Sequence, residues 1–265
     1  MIKIFNCLKR QVKVKCICLP RYVDQFELSK NSIRTEATFT LNQNETSKRT
    51  KWDPNWDKAA PSEGQPLPTA TRHIFLVRHG QYQVTQKTEL QRELTQIGEL
   101  QSNTTGLYLK ELGHKYTDIT SSDLTRSVAT ANIIGNSLPS KIPRIRSGLL
   151  RECHMIPPDP EISDFAKRIG RHHPFARLPM VEAGFRKMFY RALPKQKEDT
   201  YHIVVGHLNV FCYFIARALQ ISPRAWIRFS LKHCSITEIV ISPDGSVWLE
   251  SFGDSGHLDP DFTDT

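Results

Sequence analysis

Two short apolar runs, each ending at a histidine, constrain this chain more than any other feature. Ile74-Phe75-Leu76-Val77 leads into Arg78-His79-Gly80, and the run Tyr201–Val205 leads into Gly206-His207. A brief, nearly continuous apolar run stopped by Gly suits a strand buried on both faces, as in a parallel sheet. Ligands of open parallel sheets bind in the crevice beyond the carboxyl ends of the strands. If these two strands are neighbours, both imidazoles and the Arg78 guanidinium converge there. One histidine at a strand end is usually structural; two, with an adjoining arginine, point to a phosphate site.

The intervening segments read as helices and strands in alternation. Thr95 caps a helix to about Leu112, with Ile97, Leu100, Leu107 and Leu112 near one face and Gly113 stopping it. Tyr116–Ser121 reads as a strand, and Asp123 opens a helix bearing Leu124, Val128, Ala131 and Ile134. Within 139–178, Pro157, Pro158 and Pro160 force an irregular loop or lid. Met180 to Leu193 is amphipathic, with Val181, Phe185, Phe189 and Leu193 as its stripe, and a further helix runs from about Asn209 to Leu219. Ile236–Ile241 and Ser246–Phe252 flank Pro243-Asp244-Gly245, a hairpin signature. The order predicts an α/β fold, three-layer α/β/α, with a mostly parallel sheet.

The chemistry of such a crevice follows from its residue types. A phosphoryl dianion needs fork-shaped donors, which Arg supplies bidentately. A neutral imidazole can attack phosphorus and hold it covalently, dividing the transfer into two easier steps. A second, protonated histidine can stabilise the equatorial oxygens of a loose transition state. A carboxylic acid must then protonate the leaving oxygen and later activate water.

The formal charge of +9 on 265 residues would suggest a nucleic-acid or membrane partner. Its distribution argues otherwise. Residues 1–51 hold 11 Lys/Arg against 4 Asp/Glu, or +7, and residues 52–265 hold 25 against 23, or +2. The body is nearly neutral, so no nucleic acid is expected as partner. Residues 1–23 carry six basic residues and no acid, as a mitochondrial targeting segment does; the alternative is a basic tail drawn to anionic lipid as a peripheral membrane contact. Six scattered cysteines are too few for a disulfide scaffold, and no zinc-knuckle spacing is present, so neither metal nor cofactor is expected. Trp52-Asp53-Pro54-Asn55-Trp56-Asp57 places two indoles in a polar stretch, where they must dock on the chain's own body or on another subunit.

TRHIFLVRHGQYQ resembles the Arg-His-Gly signature of the histidine phosphatase (phosphoglycerate mutase-like) superfamily. RELTQIGELQ and SSDLTRSVATA resemble the segments that follow it, and VVGHLN resembles its second histidine motif. These matches span roughly residues 71–215 in the right order. WDPNWD, RHGQYQ and LLRE are similar to the mitochondrial Ser/Thr-protein phosphatase branch, where the first is a multimerisation motif.

The resemblance implies a metal-independent protein phosphatase working through a phosphohistidine. It assigns His79 as nucleophile, Glu152 as proton donor and His207 as second pocket histidine, with Arg78 and Arg126 binding phosphate. It likewise implies phosphoprotein substrates and a homo-oligomer built through Trp52, Asp53, Asn55, Trp56 and Asp57. The organisation expected is a basic segment and linker over 1–51, a Trp-rich motif and linker over 52–70, and a catalytic domain over 71–265. Location is expected to be mitochondrial, with the outer membrane or the cytoplasm as alternatives; no membrane-spanning anchor occupies residues 1–23. Gln81 stands where sugar-phosphate mutases of the family often carry Glu, which favours the phosphatase branch. The competing readings are a small-molecule phosphatase or mutase, and an oligomeric scaffold with an idle pocket.

Taken singly, these residues are less telling. Arg126 alone reads as a solvated helix residue, Glu152 as a partner of Arg151, and Asn209 as a substrate contact or a helix cap. His73, His154, His172, His173 and His233 match no motif and read as surface or loop histidines.

Overall fold

The computed structural model describes residues 51–139, 141–153, 156–160 and 177–263. The basic segment 1–23, the linker as far as residue 50, and His154, His172 and His173 lie outside the described residues. Both apolar runs are strands, β1 (Arg72–Arg78) and β4 (Thr200–Gly206). They pair in parallel with Arg78 opposite Gly206, which brings His79 and His207 side by side beyond the sheet.

The other strands are β2 (Tyr116–Ser122), β3 (Arg144–Ser147), β5 (Ile236–Ile241) and β6 (Val247–Asp254). The six-stranded sheet has the order β3-β2-β4-β1-β5-β6. Its β3, β2, β4 and β1 are mutually parallel, whereas β5 runs antiparallel to both β1 and β6. The sheet is therefore mixed, with one reversed strand. Within 139–178, sequence reasoning found no strand, because Arg-Ile-Arg-Ser carries almost no apolar pattern.

Alternating side chains of β1 feed opposite layers. Ile74 and Leu76 join one core with Val204, Val181, Phe185 and Phe214; Phe75 and Val77 join the other with Ile119, Ile134 and Ile203. Helices α1 (Gln96–Glu111) and α2 (Thr125–Ser137) cover the second face. Helices α3 (Leu178–Met188) and α4 (Leu208–Ala218) cover the first. This is the three-layer arrangement expected.

Two stripes differ from expectation. Helix α1 turns Leu100 and Leu107 to solvent and buries Gly98, Gln101, Ser102, Thr105, Gly106 and Leu109 instead. Small residues let it approach α2 so closely that a Cβ on Gly106 would meet Ser137 Cβ at 2.8 Å. Close approach has overridden the leucine pattern there. Helix α3 ends at Met188, so Phe189 is still buried but Leu193 lies beyond the helix and is exposed.

The Trp-rich segment docks on its own chain. Trp56 packs near Phe185, with ring centroids 6.1 Å apart, and its Nε1 donates to the Gly245 carbonyl at 2.8 Å. Asp57 forms an ion pair with Arg191 at 2.7 Å, both side chains being almost fully buried. Arg191 also donates to the carbonyls of Pro54 and Asp244. Gln220 and Asp53 bond reciprocally through the Asp53 backbone, and Asn55 accepts from Ala60 N–H. Trp52 is half-buried. Gly245 sits at φ +90°, and a Cβ there would stand 2.6 Å from the Arg191 guanidinium.

Candidate active site

The parallel pairing delivers both histidines to one point. His79 follows β1 and donates its backbone N–H to Gly206 O at 2.9 Å; His207 follows β4 and caps α4. Their ring centroids lie 5.0 Å apart, and both side chains are buried. The Nδ1 of His79 stands 2.8 Å from the Gly80 carbonyl, which can only accept, so Nδ1 carries the proton and Nε2 keeps its lone pair. That lone pair accepts from Arg126 Nε at 3.2 Å. Burial, His207 and the Arg126 cation hold the His79 pKa well below its ordinary value.

Arg126 projects from the first turn of α2. It is 2% exposed, not solvated as its sequence position alone suggested. Its guanidinium also lies over the Tyr82 ring, 4.6 Å from the centroid.

Arg78 reaches the same pocket. It donates to Leu231 O at 2.6 Å and to His233 Nε2 at 3.1 Å, while its buried Nε has no partner among the described residues. His207 Nε2 is 2.9 Å from Ser122 Oγ and 3.4 Å from Ser127 Oγ, and its buried Nδ1 likewise has no partner there. Burial with the Arg126 and Arg78 charges holds the His207 pKa well below the ordinary value. An orphaned buried Arg78 Nε–H, an unpartnered His207 nitrogen and two guanidiniums together fit an oxyanion.

Glu152 closes the group. Its carboxylate accepts from the backbone N–H of Cys153 at 3.0 Å and of Asn209 at 3.4 Å. Asn209 thus contributes its backbone to the carboxylate. Burial raises the Glu152 pKa to about 7, against the lowering pull of those two amides and of Arg126 and Arg78. A carboxyl poised near neutrality can both give and take a proton. Arg151 does not pair with Glu152; it binds Asp123 through two bonds of 2.6 Å.

The loop after His79 is positioned by a close approach. Gln81 lies on α1 so tightly that a Cβ on Gly98 would meet Gln81 O at 2.0 Å. Gly80 N–H donates to Thr130 Oγ1, and Thr95 N–H to Gln81 O. The Thr95 hydroxyl accepts from Gly98 N–H, capping α1 as expected.

His233 escaped sequence reasoning. It is buried, bonds Arg78, and lies 5.5 Å from the His79 ring. The loop before β5 carries it there, because β5 runs opposite to β1 and so begins where β1 ends. Its only available signal was the approach to an antiparallel strand. His73, by contrast, lies at the other end of β1 and pairs with Glu238 at 2.9 Å. Among the described residues no group of three or more His, Cys, Asp or Glu is placed to hold a metal, and no helix is long and apolar enough to cross a membrane.

This strand-end pair of histidines on a mixed α/β sheet accompanies a family match: the chain belongs to the histidine phosphatase superfamily, branch 1, which it matches over residues 74–254. Among individual proteins, it is 38% identical over 260 residues to the mitochondrial serine/threonine-protein phosphatase Pgam5 of Caenorhabditis briggsae. That alignment covers 88% of this chain and 90% of the relative. It is 39% identical to the human mitochondrial serine/threonine-protein phosphatase PGAM5, over 79% of this chain and 78% of that one. Among solved structures, a phosphoglycerate mutase of Plasmodium falciparum is 32% identical, with a TM-score of 0.50 over 70% of this chain and 92% of its own. Bacillus stearothermophilus YhfR, 18% identical, shares the fold with a TM-score of 0.55, over 71% of this chain and 100% of its own.

Proposed function

We propose that this chain is a protein serine/threonine phosphatase acting through a phosphohistidine on His79. One observation carries the reading. The Gly80 carbonyl fixes the His79 tautomer, so a nucleophilic Nε2 lone pair faces the Arg126 guanidinium in a buried pocket.

In the first step His79 Nε2 attacks phosphorus and the P–O bond to the serine or threonine oxygen breaks. Glu152 gives its proton to that leaving oxygen. In the second step the Glu152 carboxylate takes a proton from water, whose oxygen attacks phosphorus and releases orthophosphate from His79. Arg78 and Arg126 hold the non-bridging oxygens throughout. His207 stays neutral while flanked by cations, and a phosphoryl dianion supplies the charge that favours its protonation.

The protein substrate rests on the relatives' printed names and on Gln81. A small-molecule phosphatase or mutase would share the same pocket. The domain division at residues 51 and 70, assembly through WDPNWD, and mitochondrial location through residues 1–23 are part of this proposal. They are supported by the resemblance, the charge asymmetry and the relatives' names.

The test is hydrolysis of phosphoserine and phosphothreonine peptides by the full chain in excess EDTA. Turnover is expected to persist, to vanish in His79→Ala, and to leave acid-labile phosphate on His79 in stopped wild-type reactions. Loss of turnover on chelation would overturn metal independence. A higher kcat/KM on phosphoglycerate or sugar phosphates than on phosphopeptides would move the assignment to the small-molecule reading.

A further inference from the structure

Arg126 uses one edge of its guanidinium twice. Its Nε donates to His79 Nε2 at 3.2 Å, and its neighbour Nη2 on the same fork bonds Glu89 Oε2 at 2.8 Å. Its Nη1 points to the Glu89 backbone carbonyl at 3.5 Å. Glu89 opens a 3₁₀ turn, Glu89–Gln91, between β1 and α1, and its side chain is about half exposed. The turn is pinned to the start of α2 by Thr125, whose hydroxyl donates to Leu90 O, and Arg92 flanks the same carboxylate. A half-exposed acid thus stands over a buried cation that touches the attacking nitrogen.

A carboxylate presents a guanidinium fork with the same pair of oxygens that a phosphoryl group does. A phosphoryl group in line with His79 Nε2 needs the Nε–Nη2 edge of Arg126, where Glu89 Oε2 already sits. Both anions cannot hold that edge together.

We infer that Glu89 is an internal competitor for the phosphate position, displaced by each incoming substrate, and is thereby a specificity-determining residue. A singly charged group, such as a carboxylate side chain or a phosphodiester, gains little by exchanging with another carboxylate on Arg126. A dianionic phosphomonoester brings a second charge, which Arg78 and His207 receive. Glu89 therefore raises the threshold for occupancy and selects for the dianion. The inference rests on reading the pocket as a phosphomonoesterase site.

The experiment compares full-length wild type with Glu89→Gln, Glu89→Ala and Glu93→Gln. Glu93, exposed and four residues from Glu89, is the charge control. Calorimetry with inorganic phosphate gives Kd, and phosphopeptide hydrolysis gives KM and kcat. Both Glu89 variants are expected to lower the phosphate Kd and the peptide KM by roughly 2- to 5-fold, the scale of a half-exposed ion pair, with Ala at least equal to Gln. The expected kcat stays within about twofold, because displacement precedes chemistry. Glu93→Gln should move neither constant.

An unchanged or raised phosphate Kd in both Glu89 variants overturns the inference, as does an equal shift in Glu93→Gln, which would mean net charge alone. Tighter phosphate binding in the Glu89 variants of a chain that hydrolyses no phosphomonoester would instead overturn the phosphatase reading and leave the displacement standing.

Discussion

Arg78 donates to His233 Nε2 at 3.1 Å, so the imidazole that steadies this guanidinium does so as an acceptor and in its neutral form. His233→Ala removes that acceptor and frees Arg78 to swing on its remaining bond to Leu231 O. The expected result is a peptide KM raised about 5- to 10-fold with a smaller effect on kcat, while His233→Asn, which keeps an acceptor, recovers most of it. Equal kinetics in the Ala variant would remove His233 from the positioning of Arg78.

Glu152 couples catalysis to stability. Its pKa, raised from 4.5 to about 7, means that the folded state binds its proton more tightly than the unfolded chain. The stabilisation is complete below pH 4.5 and is lost as pH rises through 7. Glu152→Gln should therefore raise the unfolding free energy by about 3 kcal/mol at pH 8 and change it little at pH 4. The same variant should lose about 10²- to 10⁴-fold in kcat. Chemical denaturation at the two pH values, with a parallel assay, checks both halves.

The two histidines behave with the opposite sign. Their depressed pKa values contribute stability that is present above 6.5 and lost as pH falls below it. Acidification from pH 7 to 5 should lower the thermal midpoint, and His207→Asn should flatten that slope. Parallel slopes for the two proteins would show that the acid sensitivity lies elsewhere.

Gly98→Ala places a methyl 2.0 Å from the Gln81 carbonyl, directly behind the loop that carries His79. The backbone must shift, at a cost of about 3 kcal/mol. Activity should fall further than stability alone explains, because the displaced loop carries the nucleophile. Circular dichroism melts beside phosphopeptide turnover would separate the two effects.

Much of the fold and part of the site were legible beforehand, for identifiable reasons. Strands β1 and β4 announced themselves through unbroken apolar runs, and Arg78, His79 and His207 through their place at the ends of those runs. The surface leucines of α1 misled because that helix packs by smallness: Gly98, Ser102, Thr105 and Gly106 carry no hydrophobic periodicity. Strand β3 is four residues of alternating charge on an edge, too short to show a period. Arg126 and Glu152 have no local mark of their own and were reached only through the resemblance. His233 and Glu89 enter the pocket by topology, one through a reversed strand and one through a loop between β1 and α1. No local pattern records either path.

The docked Trp56 carries a consequence for how the chain is made. Its hydrogen bond to Gly245 spans 189 positions, and the Asp53–Gln220 and Asp57–Arg191 contacts span 167 and 134. The segment emerges from the ribosome long before any of these partners does. It must wait, two indoles exposed, until the hairpin tip at Gly245 has been synthesised and folded. Closure of these contacts is then a late event of biogenesis, and a nascent chain cut short before that turn would leave the tryptophans bare to other proteins.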